Sequence, residues 1–296
     1  MSKILNEKVA VITGSSRGLG LAIAKAYARE GAKIVIASRS QRSVDSAVKM
    51  LENTGAQATG LACDVADIVQ VEALAEHAIR TFGQIDIWVN NAGLSAPYGP
   101  TADISSRTFQ SITDTNVTGT YNGSVVALRK MVNRKHGKII NLLGRGDTGS
   151  VPLQNAYTSS KVWVRNFTQA LAKEYKDSGI EIFGFNPGLV LTEMISDVEA
   201  VAGYEEKMNP LRFVTAMWGN EAEIPAQKAV WLASPDTDGA SGKMVTILTP
   251  WFTFSRALVT GLRWLLRQPI KMMDMQVSSV QSAMELQPVP IEEKKR

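Results

Sequence analysis

Tyr157 and Lys161 lie four residues apart in NLLGRGDTGSVPLQNAYTSSK (141–161). On a helix that spacing puts an ammonium one turn from a phenol. A free phenol, with a pKa of about 10, gives up its proton reluctantly near neutrality. A neighbouring ammonium stabilises phenolate, so the spacing predicts a lowered Tyr157 pKa. Thirteen residues before the tyrosine, where a serine hydroxyl would complete a three-residue site, stands Gly144.

A second constellation is TGSSRGLG (13–20), between an apolar run and a helical pattern. Gly14, Gly18 and Gly20 allow a sharp turn and close approach of a pyrophosphate to the free N–H groups at a helix start. The elements that must carry both constellations are legible as alternating periods. VAVIT (9–13), KIVIAS (33–38), ATGLAC (58–63), IDIWVNN (85–91), KIINLL (138–143), IEIFGFN (180–186) and MVTIL (244–248) read as strands. Several are apolar without interruption, as strands covered on both faces are. Helical patterns such as 18–30 and 67–82 alternate with them. The expected fold is α/β: a doubly wound, Rossmann-like parallel sheet of about seven strands with helices on both faces. No linker divides residues 1–250, which read as one domain. A basic amphipathic helix over 251–270 and a flexible tail over 271–296 follow.

Composition narrows the classes. The 296 residues carry a net charge of +4, and hydrophobic residues make up 45%. That balance is globular, and no basic-aromatic pattern calls for nucleic acid. Cys63 is the only cysteine, and His77 and His136 are the only histidines, without a metal-ligand spacing. Neither a disulfide nor a protein-held metal is expected. MSKILNEKVAVITG runs straight into a strand without the zones of a signal peptide, and no stretch is long and apolar enough for a span. The expected location is the cytoplasm.

Taken together, TGSSRGLG, NNAG (90–93), Asn116 within TNVTG, YTSSK (157–161) and NPGLVLT (186–192) resemble, in order and over residues 6–249, the short-chain dehydrogenase/reductase family. The resemblance implies a reductase binding NAD(H) or NADP(H), in a homodimer or homotetramer. It implies cofactor contacts from Gly14, Ser16, Arg17, Gly18, Leu19, Gly20, Ser38, Arg39, Asp64, Val65, Asn91, Ala92, Gly93, Tyr157, Lys161, Pro187, Gly188, Val190 and Thr192. Asp64 would meet the adenine amine, and Val190 and Thr192 would fix the nicotinamide carboxamide. Tyr157 would protonate the substrate, Lys161 would also hold the nicotinamide ribose, and Asn116 would anchor a water that supplies protons. Ser38 stands where NAD-preferring relatives carry aspartate, and Arg39 and Arg17 are expected to converge on a 2′-phosphate. Two charge-assisted bonds of about 1.5–3 kcal/mol each discriminate by a hundredfold or more, so NADP(H) is the expected cofactor.

Gly144 departs from the family, whose serine hydrogen-bonds the substrate oxygen. Loss of one such donor costs about 10²–10³ in rate, which slows a reductase without abolishing it. On this reading Gly144→Ser should restore activity. Thr148, Ser150 and Asp147 are the loop groups that could stand in, and RGD (145–147) reads as coincidence. Chlorophyll b reductases resemble the chain in the glycine segment, in PGxVLT (187–192) and in LTP (248–250).

Residues 193–218 lie where the family builds a substrate lid. Gly144, Met194, Tyr204, Met208, Phe213 and Trp218 are the expected substrate contacts, with packing of the lid itself as the alternative for the apolar ones. On the helix, Arg256, Arg263, Arg267 and Lys271 form one stripe and Phe254, Leu258, Leu262, Leu265 and Leu266 another. It reads as docked on its own domain or a partner subunit, or as peripheral membrane contact through 251–267. Removing 251–296 is expected to leave an active core. The expected function is NADPH-dependent reduction of a bulky apolar aldehyde or ketone, such as a tetrapyrrole formyl group. The alternatives are a cyclic-imine reductase and a non-catalytic NADP(H)-binding protein.

Overall fold

A computed structural model describes residues 3–268 and 273–284. From the N-terminus, β1 (Val9–Thr13), α1 (Gly18–Arg29), β2 (Lys33–Ser38), α2 (Gln41–Glu52), β3 (Ala58–Ala62), α3 (Ile68–Phe82) and β4 (Ile87–Asn90) alternate strictly. They are followed by α4 (Ser106–Thr113), α5 (Gly119–Met131), β5 (Gly137–Leu142), α6 (Asn155–Glu174) and β6 (Ile180–Asn186). The segment after β6 is shorter in its parts: β7 (Leu189–Val190), α7 (Glu193–Ser196), β8 (Asp197–Val201), α8 (Asn209–Trp218) and β9 (Gly219–Asn220). Then come α9 (Glu223–Ala233), β10 (Met244–Thr246), α10 (Pro250–Leu265) and β11 (Gln276–Val280).

The main sheet has seven parallel strands in the order β10-β6-β5-β4-β1-β2-β3, so the winding reverses between β4 and β1. The strands lie where the apolar runs predict them, within two residues at their ends. Every residue of β1, β4 and β5 is buried, because helices cover both faces. On one face Ile23 and Tyr27 of α1, Leu51 of α2 and Leu232 of α9 pack onto the sheet. On the other, Leu74 of α3, Met131 of α5 and Leu171 of α6 do so.

The lid and the tail form a satellite unit. β11 pairs in parallel with β8 from Gln276↔Asp197 to Val280↔Val201. Val198, Ala200, Met208, Leu211 and Met275 are buried in a separate core, with Tyr98, Val214 and Val277 packed against it. The expectation of a flexible tail over 271–296 is therefore corrected for the 276–280 segment, which pairs along one edge with β8; residues 271–272 and 285–296 lie outside the described residues. The helix expected over 251–270 spans 250–265. Among the described residues no helix is long and apolar enough to cross a membrane.

Candidate active site

The residues with chemistry gather at the C-terminal ends of β1, β4 and β5, beside the reversal of strand order, where open α/β sheets bind ligands. The glycine loop is clamped to the end of β4. Asn91 Nδ2 donates to the carbonyls of Thr13 (2.8 Å) and Gly14 (3.1 Å), and Thr13 Oγ1 accepts from the N–H groups of Asn91 and Ala92. Gly14 adopts φ +62, and a Cβ on Gly20 would strike the Gly14 carbonyl and Asn91. Two backbone segments thus approach as closely as only glycine permits, leaving the N–H groups at the start of α1 facing outward.

Asn116 sits in a π-turn, Asp114–Thr118, between α4 and α5. Its Oδ1 accepts from Leu94 N (2.8 Å), and its Nδ2 donates to Leu94 O (3.0 Å) and Ser160 Oγ (3.0 Å). The side chain thereby ties the Gly93 loop to α6. Lys161 is buried on α6 and donates from Nζ to Leu142 O (3.0 Å). A Cβ on Gly93 would lie 3.8 Å from that Nζ and 3.4 Å from Asn116 Oδ1, so the loop after β4, the π-turn and α6 converge here.

Tyr157 is one turn before Lys161, with Nζ 5.7 Å from its ring centroid. Burial pushes the phenol up to about 12, with Tyr98 and Asp147 adding to the rise and Arg145 opposing it. Burial also brings Lys161 down to about 8, against the pull of Asp147. The expected lowering of the Tyr157 pKa is thus corrected. Desolvation of the phenolate outweighs the ammonium, which is engaged with a backbone carbonyl and is itself disfavoured by burial. The Tyr157 phenol is thus held protonated, and no group among the described residues hydrogen-bonds its hydroxyl.

Gly144 is in van der Waals contact with that hydroxyl: a Cβ at 144 would overlap Tyr157 Oη. The position is not a vacant donor slot, because the tyrosine fills it. Of the loop groups that could replace a serine, Asp147 accepts from Arg165 (2.8 Å) and Asn186 (2.9 Å), and is paired rather than free. Thr148 and Ser150 line a cavity of about 960 Å³ with Pro100, Val162 and Gln169, on a wall that includes neither Tyr157 nor Lys161. Arg145 instead donates from Nη1 to the hydroxyl of Tyr98 (2.6 Å).

On the cofactor side, Arg17 pairs with Glu193 at the start of the lid (2.5 Å), with both side chains largely exposed. Arg39 is exposed, on the loop between β2 and α2. A cavity of about 310 Å³ is lined by Ser16, Arg17, Arg42, Ser43 and Ser46, so the second guanidinium there is Arg42. Two residues past the end of β2, Ser40 caps α2, and Arg42 in the first turn of that helix lines the cavity. Ser38 turns its hydroxyl to Ser40 O, and Leu19 packs onto the core. Asp64 accepts from Ala66 N (3.0 Å), and Val65 is buried against Gly119. Gly188 donates its N–H to Asn186 Oδ1 (3.0 Å), buried Val190 pairs with Asn220, and Thr192 lies over Gly18.

The lid residues divide. Met194 and Phe213 are exposed and Tyr204 is half-buried. Trp218 donates from Nε1 to Thr253 O (3.2 Å), which docks α10 onto α8. Met208 is corrected from substrate contact to lid core, where it packs with Val198 and Leu211. Arg256 likewise leaves the expected basic stripe to reach Gly219 O and Asn220 Oδ1, while Lys271 lies outside the described residues. Arg42, Tyr98, Arg165 and Asn186 escape sequence reasoning; only Asn186 stands within one of the motifs.

Residues 8–202 match the short chain dehydrogenase family. The chain is 34% identical over 263 residues to 3beta-hydroxysteroid dehydrogenase 1 of Eggerthella lenta, covering 85% of this chain and 98% of that one. It is 35% identical over 264 residues to a probable chlorophyll(ide) b reductase, chloroplastic, of Arabidopsis thaliana, covering 81% of this chain and half (50%) of that protein. The crystal structure of an actinorhodin polyketide ketoreductase variant with NADPH superposes with a TM-score of 0.74 at 26% identity, over 83% of this chain and 97% of that one.

Proposed function

The chain belongs to the short-chain dehydrogenase family, and from that premise we propose that it is an NADPH-dependent reductase of a bulky, apolar aldehyde or ketone. The observation that carries the reading is Tyr157: a protonated phenol whose hydroxyl has no hydrogen-bond partner among the described residues, one turn from Lys161 and against Gly144. The residues present fit NADPH. Gly14 and Gly20 leave the N-terminus of α1 open to a pyrophosphate, and the cavity between Arg17 and Arg42 offers two guanidiniums to a 2′-phosphate. The actinorhodin enzyme is solved with NADPH, which supports the same choice here.

When bound, NADPH supplies a hydride. Tyr157 gives its proton to the substrate oxygen, Lys161 holds positive charge behind the phenol, and Asn116 fixes the Gly93 loop that flanks both. The substrate class rests on Met194, Tyr204, Phe213 and Trp218 of the lid and on two relatives named for steroid and chlorophyll(ide) substrates. A tetrapyrrole formyl group belongs to that class. Exposed Tyr121, Val162 and Trp163 on α5 and α6 support association with a second copy. The exposed Trp251, Phe254, Leu258, Leu262 and Leu265, with Arg263 and Arg267 alongside, support contact of α10 with an anionic membrane surface.

The test is NADPH oxidation with naphthaldehyde and acetylnaphthalene. Turnover is expected in the native chain and lost in Tyr157→Phe, with NADPH affinity nearly unchanged in fluorescence titration. Full activity in Tyr157→Phe would overturn the assignment.

A further inference from the structure

Gly144 leaves a reductase site with one proton donor and no side chain at the position of the second. On the reductase reading above, we infer that the phenol of Tyr98, held by Arg145, is the second hydrogen-bond donor to the substrate's carbonyl oxygen. Arg145 directly follows Gly144, and Gly144 touches the Tyr157 hydroxyl, so the Arg145–Tyr98 bond of 2.6 Å is anchored one residue from the proton donor. A guanidinium has only donors. The Tyr98 oxygen must therefore be the acceptor in that bond, and its own proton is not used by Arg145. Among the described residues nothing else accepts it.

Tyr98 is also fixed in place. Its N–H donates to Glu199 O (2.8 Å) and its carbonyl accepts from Val201 N (2.8 Å), so its backbone lies beside the lid strand β8. The ring packs on the lid core. The residue thus spans from the lid to the loop that touches Tyr157, and the Arg145 charge is felt by the Tyr157 phenol. Burial raises the Tyr98 pKa while Arg145 opposes the rise. The guanidinium draws electron density from the phenol oxygen and makes its O–H the stronger donor.

The step balances without a further reagent. Hydride from NADPH forms the new C–H bond, the C=O π pair moves to oxygen, and the proton of Tyr157 completes the alcohol. Solvent reprotonates Tyr157. Tyr98 keeps its proton throughout and supplies a hydrogen bond that strengthens as charge gathers on oxygen. Arg145 is a positioning residue that acts through Tyr98.

The experiment uses the full chain with naphthaldehyde and acetylnaphthalene, and measures kcat, KM, NADPH affinity and melting temperature for Tyr98→Phe, Arg145→Gln, Arg145→Lys and Tyr157→Phe. Tyr98→Phe is expected to lower kcat for the ketone about a hundredfold, the scale of one lost oxyanion donor. The aldehyde, being more electrophilic, should lose less than tenfold. NADPH affinity and melting temperature should hold. Arg145→Gln should reproduce the ketone defect and Arg145→Lys should recover most of it. Unchanged ketone turnover in Tyr98→Phe, while Tyr157→Phe is inactive, would overturn the Tyr98 assignment and leave the reductase reading standing. Equal losses on both substrates with a lowered melting temperature would also overturn it, as the mark of a purely structural tyrosine. No turnover in the native chain would sink the reductase reading and this inference with it.

Discussion

A side chain at position 144 has nowhere to go while Tyr157 keeps its place. Gly144→Ser and Gly144→Ala should therefore both lower kcat, by about tenfold or more, because each displaces the phenol from its contact with the loop. Steady-state kinetics on acetylnaphthalene checks this, and a gain in the serine variant alone would restore the idea of a simple missing donor. Lys161 supplies the pH dependence. In the proposed mechanism its protonated form is the active one, and burial brings it down to about 8, so kcat/KM for reduction should be flat below that value and fall as pH rises through it. Rates measured from about pH 6 to about pH 10 give the profile, and Lys161→Arg, whose guanidinium stays charged, should abolish the falling limb whatever activity remains. The pairing of Tyr157 with Lys161 is legible in the sequence from its spacing taken together with the companion motifs. Their pKa values are not, because burial acts from all sides and a four-residue spacing describes only one neighbour. Tyr98 is still less legible: it meets Arg145 across 47 residues of chain, and APYGP carries no pattern that points to chemistry.

At the scale of elements, the strands are readable because two-sided burial writes itself as unbroken apolar runs, and the loops that follow them inherit their places from the sheet. Side-chain direction within those loops is harder. Arg39 and Arg42 are three residues apart, with the cap at Ser40 between them, and Arg42 lines the cavity beside the glycine loop. Arg42→Glu should accordingly erase the preference for NADPH over NADH, with a change of about tenfold to a hundredfold in the ratio of affinities, while Arg39→Asp should act more weakly. Competitive titration of both nucleotides separates the two. A larger effect at Arg39 would assign the phosphate to that side chain instead. β11 escapes notice for a different reason. QVSSV is short and mixed, and nothing in it announces that its partner is a lid strand far back in the chain.

For the whole molecule, the reductase body and its tail are less separable than the sequence implies. Deleting 251–296 removes α10 and β11, unpairs one edge of β8 and takes Met275 from the core that holds Val198, Met208 and Leu211. The truncated chain is expected to bind NADPH but lose most turnover, with faster proteolysis within 193–218; unaltered kinetics would show that the lid stands alone. The pairing of β8 with β11 also has a consequence in time. A ribosome delivers the lid strand well before its partner, so the nascent chain passes through a stage in which the nucleotide-binding sheet is finished and one edge of β8 is bare. Such an edge invites pairing with neighbouring chains, and closing it falls to one of the last described segments to be made. Synthesis that stalls after β10 would release a molecule competent to hold nucleotide and prone to aggregate, and quality control would meet this protein chiefly in that form.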